Sequence, residues 1–281
     1  MKCLYPRRVP NSHGLMVDCG KCLACRINRT REWTLRLTNE ANNSLSCFFI
    51  TLTYSDEHLP SDGSVCKRHV QDFISNLRTV AGSGIRYFIG SEYGQDEAAT
   101  RRPHYHGLIF NVPRDLIFIP CSGTDRIETR RGKSGYISYV NTYLNDVWRR
   151  GFVTVGEFVP QRAGYLAGYY VNKVDAPKGH AANFSLMSRR PGIGHDFAVS
   201  SVARYCEYGF TYAHTGRRVA IPRYYRGICN DISDRFVFDV NDHELIQQIN
   251  DEKQQNKILA SQREEVMKKD LSFKGVYKKQ I

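Results

Sequence analysis

The 281-residue chain contains no uninterrupted apolar run of about 18 residues, the length a membrane-spanning helix needs. No membrane partner is expected. Its first residues, with Lys2, Pro6, Arg7, Arg8 and Pro10, lack the apolar centre of a secretory signal, so a cytoplasmic location is expected. Acidic residues are scarce beside basic ones: 28 Asp and Glu against 40 Lys and Arg leave a formal net charge of +12. A surplus of that size favours a polyanionic partner, because basic groups gain by neutralising phosphates and releasing counterions. A phosphate-binding Gly-x-x-x-x-Gly-Lys-Ser/Thr loop is also missing, since Gly132-Lys133-Ser134 would need a glycine where Ile127 stands. That excludes an ATP-driven helicase. No internal repeat or low-complexity tract occurs. Cysteine is present but unsuited to a disulfide framework: the count is nine, an odd number, with Cys3, Cys19, Cys22 and Cys25 crowded at one end and the rest scattered.

The remaining pattern predicts one large domain flanked by two smaller pieces. Residues 1–40 form a Cys-rich basic leader with a helical stretch from Ile27 through Trp33 to Leu37; residues 41–230 hold the core, and residues 231–281 a C-terminal helical extension. Cys47 to Tyr54 is β-branched and aromatic and ends at Ser55-Asp56, which predicts a buried strand. Val70, Phe73, Ile74, Leu77 and Val80 recur at helical spacing before Gly82-Ser83-Gly84, predicting a helix over 67–80. Strands are expected over 85–92 and 104–111, separated by a polar loop. A second amphipathic helix is expected through Ile137, Val140, Leu144, Val147 and Trp148, then a strand over 152–159 and a helix over 161–173. The order strand, helix, strand, strand, helix, strand predicts an α+β fold of the ferredoxin-like, or split βαβ, kind, with helices on one face of an antiparallel sheet and the other face free. Residues 178–226 are basic and aromatic with little periodicity and read as a functional surface segment. Asn241 with Glu244 gives a capping signal for a helix over 241–269.

Two constellations carry chemistry. On a strand, alternate side chains share a face, so His104 and His106 in Arg102-Pro103-His104-Tyr105-His106-Gly107 point the same way. A bare His-x-His is weak, since nine histidines would give roughly 0.3 such pairs by chance. Glu92, at the end of the preceding strand, supplies a carboxylate within reach. Two imidazoles and a carboxylate with open positions suit Mg²⁺ or Mn²⁺ holding a phosphate oxygen; two surface histidines at a strand edge are the plain alternative. On the helix over 161–173, Tyr165 and Tyr169 lie four residues apart and share a face, with Lys173 one turn beyond to offset phosphate charge. Tyr170 competes with them, and a Tyr-rich amphipathic helix is the structural alternative. A divalent ion beside a phenol is what cleavage of a phosphodiester through a phosphotyrosine requires.

The strand Phe49 to Tyr54, the turn Gly90 to Gly94, the strand Arg102 to Gly107 and the helix Tyr165 to Lys173 occur in an order that resembles the rolling-circle replication initiators of the HUH endonuclease superfamily. Three flanking segments bring the resemblance to the initiators of small single-stranded-DNA phages, the gokushovirus branch of the microviruses: Cys19 to Arg26 with Arg31-Glu32-Trp33, Met187 to Gly194, and Pro222 to Tyr225. It spans residues 3 to about 226. The resemblance implies that Glu92, His104 and His106 hold the ion and that Tyr165 and Tyr169 are nucleophiles, one cutting the origin and one acting after a full circle. The pattern departs from the family at Gly168, where a basic residue is common, and in the doubled Tyr169-Tyr170. It further implies single-stranded or supercoiled origin DNA, a host helicase and a host polymerase as partners, in the cytoplasm of the host cell.

Around this frame, Cys3, Cys19, Cys22 and Cys25 have the number for a four-thiolate Zn²⁺ site, with His13 as a substitute ligand and reduced, non-ligand thiols as the alternative. Arg101, Arg102, Arg189 and Arg190 are the leading DNA contacts among the basic clusters, because cations follow phosphates while neighbouring rings stack on bases. Three other readings fit parts of the pattern. A non-catalytic single-stranded nucleic-acid-binding protein would use the tyrosines for stacking and never nick. A transposase or relaxase would share the chemistry on other DNA. A β-barrel metal oxygenase also uses His-x-His with a carboxylate.

Overall fold

The computed structural model describes residues 2–10, 14–94, 101–117, 129–131, 137–172 and 176–232, and the side chains among them except at 129–131, 137 and 169–172. Two compact units divide the chain, one of residues 33–197 and one joining residues 1–32 to residues from 198 onward. In the latter, two-residue strands β1 (Arg7–Arg8) and β2 (Met16–Val17) pair antiparallel and lead into helix α1 (Leu23–Asn42). This helix runs further at both ends than the stretch from Ile27 to Leu37 predicts.

The larger unit is built on strands β3 (Cys47–Tyr54), β4 (Arg86–Tyr93) and β5 (Pro103–Phe110), with helix α2 (Lys67–Ala81) between the first two. Gly82 stops α2 by taking φ +97°, a conformation that costs glycine little, while its N–H still reaches the Arg78 carbonyl. A single turn α3 (Arg114–Ile117) follows, then strands β6 (Thr129–Arg131) and β7 (Ile137–Val140), helix α4 (Thr142–Trp148), strand β8 (Gly151–Glu157), helix α5 (Pro160–Asn172) and strand β9 (Ser185–Met187). The strands form one seven-stranded antiparallel sheet in the order β6-β7-β8-β3-β5-β4-β9. The fold class is α+β.

Here two expectations need correction. The helix expected from Ile137 to Trp148 is half strand: residues 137–140 join the sheet, and helix begins only at Thr142. Apolar spacing of three and four residues does not separate the cases, but Asn141 does. Its side chain accepts the Leu144 N–H at 2.8 Å as an N-cap, which requires an extended residue at that point. The second correction concerns the faces of the sheet. Even-numbered β3 residues Phe48, Ile50, Leu52 and Tyr54 pack with α2 and α4, whose buried residues include Phe73, Leu77, Leu144 and Trp148. Odd-numbered Cys47 and Phe49 pack instead with Trp33 and Leu37 of α1 and Ala163, Leu166 and Ala167 of α5. Helices therefore cover both faces rather than one. Each buried large apolar side chain contributes about 1.5–3 kcal/mol, so two opposed cores hold the sheet between them. Val80, expected within the apolar stripe of α2, is 43% exposed.

The segment read as aperiodic over 178–226 contains regular structure. Helices α6 (His195–Ser200), α7 (Val202–Tyr208) and α8 (Arg223–Ile232) and a small hairpin of β10 (Thr211–Tyr212) and β11 (Arg218–Val219) fall within or just beyond it. Helices this short show too few turns for periodicity to register. In the smaller unit, α7 and α8 meet through stacked Tyr205 and Tyr225, ring centroids 6.0 Å apart. The helix expected over 241–269 lies outside the described residues, and no described helix is long and apolar enough to cross a membrane.

Candidate active site

The α1 and α5 layer covers only part of its face. Following that face along the strands, Phe88 and Leu108 give way to Glu92, His104 and His106, and Phe49 gives way to Thr51 and Thr53. Antiparallel register sets Glu92 directly opposite His104, and His104 opposite Thr53, so neighbouring side chains emerge together. His106 stands opposite Thr51 on one side and Gly90 on the other. The structure thus brings the three predicted ligands together: one ligand atom from each of Glu92, His104 and His106 lies within 4.8 Å of the others.

Both rings aim Nε2 at one carboxylate oxygen, Glu92 Oε2, at 3.8 Å for His104 and 3.7 Å for His106. The opposite ring nitrogens fix that orientation. His104 Nδ1 lies 3.1 Å from the Arg102 carbonyl, which can only accept, so Nδ1 carries the proton and Nε2 offers its lone pair. His106 Nδ1 meets the Thr51 hydroxyl at 2.9 Å. Such outer contacts are what hold metal-ligating histidines in one tautomer. Burial, with the neighbouring His104, keeps His106 well below the ordinary imidazole range, so this ring is neutral at pH 7. Phe49 stacks on it at 5.6 Å, and the Arg162 guanidinium lies 4.9 Å from the centre of the Phe49 ring. Glu92 is 6% exposed, whereas the His104 and His106 side chains keep 20% and 18%. The cluster is walled yet reachable.

Helix α5 brings the tyrosine. Ala163, Leu166 and Ala167 bury one stripe of the helix, leaving Tyr165 to lean over the triad, where its hydroxyl donates to Glu92 Oε2 at 3.1 Å. Its ring lies edge-on to His106 at 5.6 Å. A Cβ at Gly168 would meet no atom within 4 Å, so α5 passes that point with open space beside it. Tyr169 and Tyr170 occupy the next positions of α5, but their side chains, like the whole of Lys173, lie outside the described residues.

The arginines divide by environment. Arg102 is engaged within the protein, ion-paired to Asp56 and donating to the Tyr54 carbonyl at 3.0 Å. Arg101 is exposed, as are Arg189 and Arg190. The loop carrying the latter two is held by a buried Glu40–Arg86 ion pair: Arg86 also donates to the carbonyls of Pro191 and Gly192, and Glu40 accepts the Gly194 N–H. Sequence reading missed Thr51, Phe49 and Phe152. Period-two alternation along the first core strand, extended to its neighbours, was the available signal for all three: Thr51 and Phe49 share the histidines' face, and Phe152, opposite Thr53, stands 55% exposed on it.

Comparison with known proteins converges on this same segment. Residues 47–174 match the family of the replication-associated protein ORF2. Replication-associated protein ORF2 of Spiroplasma virus 4 is 29% identical over 238 residues, covering 79% of this chain and 71% of its own. Replication-associated protein VP4 of Bdellovibrio phage phiMH2K is 28% identical over 218 residues, 74% of this chain and 65% of its own. Replication-associated protein ORF4 of Chlamydia phage 1 is 23% identical over 229 residues, 75% of this chain and 53% of its own. No solved structure matches significantly. Residues 47–174 belong to the replication-associated protein ORF2 family, and the chain is a relative of the replication-associated proteins of small single-stranded-DNA phages.

Proposed function

We propose that this protein starts rolling-circle replication of a phage genome as a site-specific single-stranded DNA endonuclease and strand transferase of the HUH type. The observation that carries the reading is the convergence of the Tyr165 hydroxyl and two oriented imidazoles on the Glu92 carboxylate. The strand order β8-β3-β5-β4 supports the ferredoxin-like arrangement expected of that superfamily. Relatives named for replication in three phages support the biological role.

The donor set fits a hard divalent cation: two neutral imidazoles with Nε2 lone pairs free to bind, one carboxylate, and partial exposure for a further oxygen ligand. Mg²⁺ or Mn²⁺ held by Glu92, His104 and His106 would polarise the scissile phosphate and offset its charge. The remaining chemistry belongs to the chain. Tyr165 Oη forms a bond to phosphorus as the bond from phosphorus to the 3′ oxygen breaks; the phenol loses a proton and the leaving 3′ oxygen gains one. The products are a 5′ phosphotyrosine and a free 3′ hydroxyl that can prime synthesis. One phosphodiester replaces another, so the step needs no nucleotide hydrolysis. Tyr169 is the natural second nucleophile, and Lys173 the neighbouring cation.

Arg101, Arg189 and Arg190 suit the DNA backbone, while Phe152 offers a ring on which a base can stack. Replacing Phe152 by Ala is expected to weaken single-strand binding by about 1–3 kcal/mol while metal affinity stays unchanged. A β-barrel oxygenase is disfavoured by an open sheet with helices on both faces among the described residues.

The reading is tested by incubating the protein with single-stranded origin DNA and Mn²⁺ and looking for a denaturation-resistant adduct. The adduct should vanish in the Tyr165→Phe/Tyr169→Phe double variant and be suppressed in His104→Ala. Salt-sensitive DNA binding with no adduct under any metal would instead establish a non-catalytic binder.

A further inference from the structure

We propose that Cys3, Cys19, Cys22 and Cys25 form a closed structural Zn²⁺ site, independent of the phosphodiester chemistry above. One sulfur from each lies within 4.8 Å of the other three. The Cys3 and Cys22 sulfurs are 3.9 Å apart, as are those of Cys19 and Cys25. Four thiolates bound tetrahedrally at about 2.3 Å stand about 3.8 Å from one another, whereas a disulfide would bring a pair to about 2.05 Å. All four cysteines are free thiols rather than half-cystines.

The backbone around them has the shape of a metal knuckle. The N–H groups of Lys21 and Cys22 both approach the Cys19 sulfur, at 3.5 and 3.3 Å, so the chain wraps that atom before α1 begins. The Cys19 N–H reaches the Cys3 sulfur at 3.2 Å, and the Leu4 N–H reaches the Cys22 sulfur at 3.5 Å. Backbone donors directed at sulfur stabilise thiolate over thiol, the form that a metal binds. Cys3 therefore completes the set, and His13 lies outside the described residues.

The surroundings indicate a structural ion. Residues 2–19 hold only two-residue strands, and their apolar contacts reduce to a small cluster of Leu4 and Cys22 on Leu23, Ala24 and Ile27. So little burial does not fix a segment of this length, and a metal clasp supplies the missing free energy. With all four positions taken by sulfur, no site remains for substrate, in contrast to the Glu92 cluster. Soft thiolates select zinc over the hard ions that suit a carboxylate.

The test measures metal in the purified full-length chain by mass spectrometry, after dialysis against a mild chelator that empties the open Glu92 cluster. One zinc per chain is expected, falling to background in Cys22→Ser and unchanged in Cys206→Ser. Because Cys22→Ser can fail to fold, the wild-type chain is also reconstituted with Co²⁺, where the intense absorption of a tetrahedral tetrathiolate is expected. Retention of zinc by Cys22→Ser, iron in place of zinc, or four cysteines that react with a thiol reagent in the native chain as fast as Cys206 would overturn the proposal. Each result is read without DNA, so neither failure nor success depends on nicking.

Discussion

Strand β5 carries His104, Tyr105 and His106 in succession, and its two faces put the same side-chain chemistry to opposite uses. Toward α2, Tyr105 is fully buried; its hydroxyl lies 2.7 Å from that of Tyr54 and takes the Cys66 N–H at 2.8 Å. Tyr54 in turn meets His69 Nδ1 at 2.8 Å, and the Tyr93 hydroxyl joins the Val65 N–H to the Ala181 carbonyl. Burial pushes the Tyr54 and Tyr105 phenols above their ordinary range. They stay protonated and serve as struts. Toward α5, Tyr165 reaches the edge of an accessible cluster and donates to a carboxylate. A tyrosine and a histidine are therefore structural or reactive according to the face on which they stand.

The sharpest test of that contrast compares one hydroxyl from each face. Tyr165→Phe should remove the adduct formed through that residue, leaving only what Tyr169 supplies, while thermal stability changes little. Tyr105→Phe should leave adduct formation intact but cost about 1–3 kcal/mol in denaturant unfolding, because the buried Cys66 N–H loses its acceptor. An exchange of these two phenotypes would break the comparison.

A smaller effect is expected from Thr51→Val, which keeps shape but removes the Nδ1 partner of His106. Metal affinity, measured by calorimetry with Mn²⁺, should fall about 10–100-fold, with the fold unchanged. No change would mean that the Phe49 ring alone orients the imidazole.

The smallest effect belongs to the strut face. Burial and the nearby Arg150 hold the His69 pKa below 6.5. Above pH 6.5 neither the folded nor the unfolded His69 is charged, and the group is neutral toward stability. As pH falls below 6.5, the unfolded chain takes up the proton first, so stability declines until the folded pKa is passed. His69→Gln should flatten this slope in unfolding measured from pH 7 to 5; an unaltered slope would remove His69 from the account.

Much of the fold was legible because its strongest segments obey one period. The alternation through Cys47 to Tyr54 and the helical spacing through Val70 to Leu77 each bury a complete stripe, so local pattern and tertiary outcome agree. Residues 137–140 were not legible as strand because an apolar spacing of three and four residues is compatible with either state over so short a span. The covering of the second face was hidden for a different reason: α1 and α5 reach it from distant parts of the chain, and nothing in either helix names its partner.

For the candidate site, alternation alone put His104 and His106 on one side, and helical spacing made Tyr165 and Tyr169 neighbours. By itself the sequence determined these residue types, their spacing and the basic charge, all fixed by local geometry. Only tertiary structure decided that Glu92 falls opposite His104, that Thr51 backs His106, that Tyr165 reaches the carboxylate and that Cys3 joins three cysteines sixteen or more residues away. Register and helix docking are agreements between segments far apart in the chain, made by the burial of two cores at once, and no short stretch of sequence contains both parties.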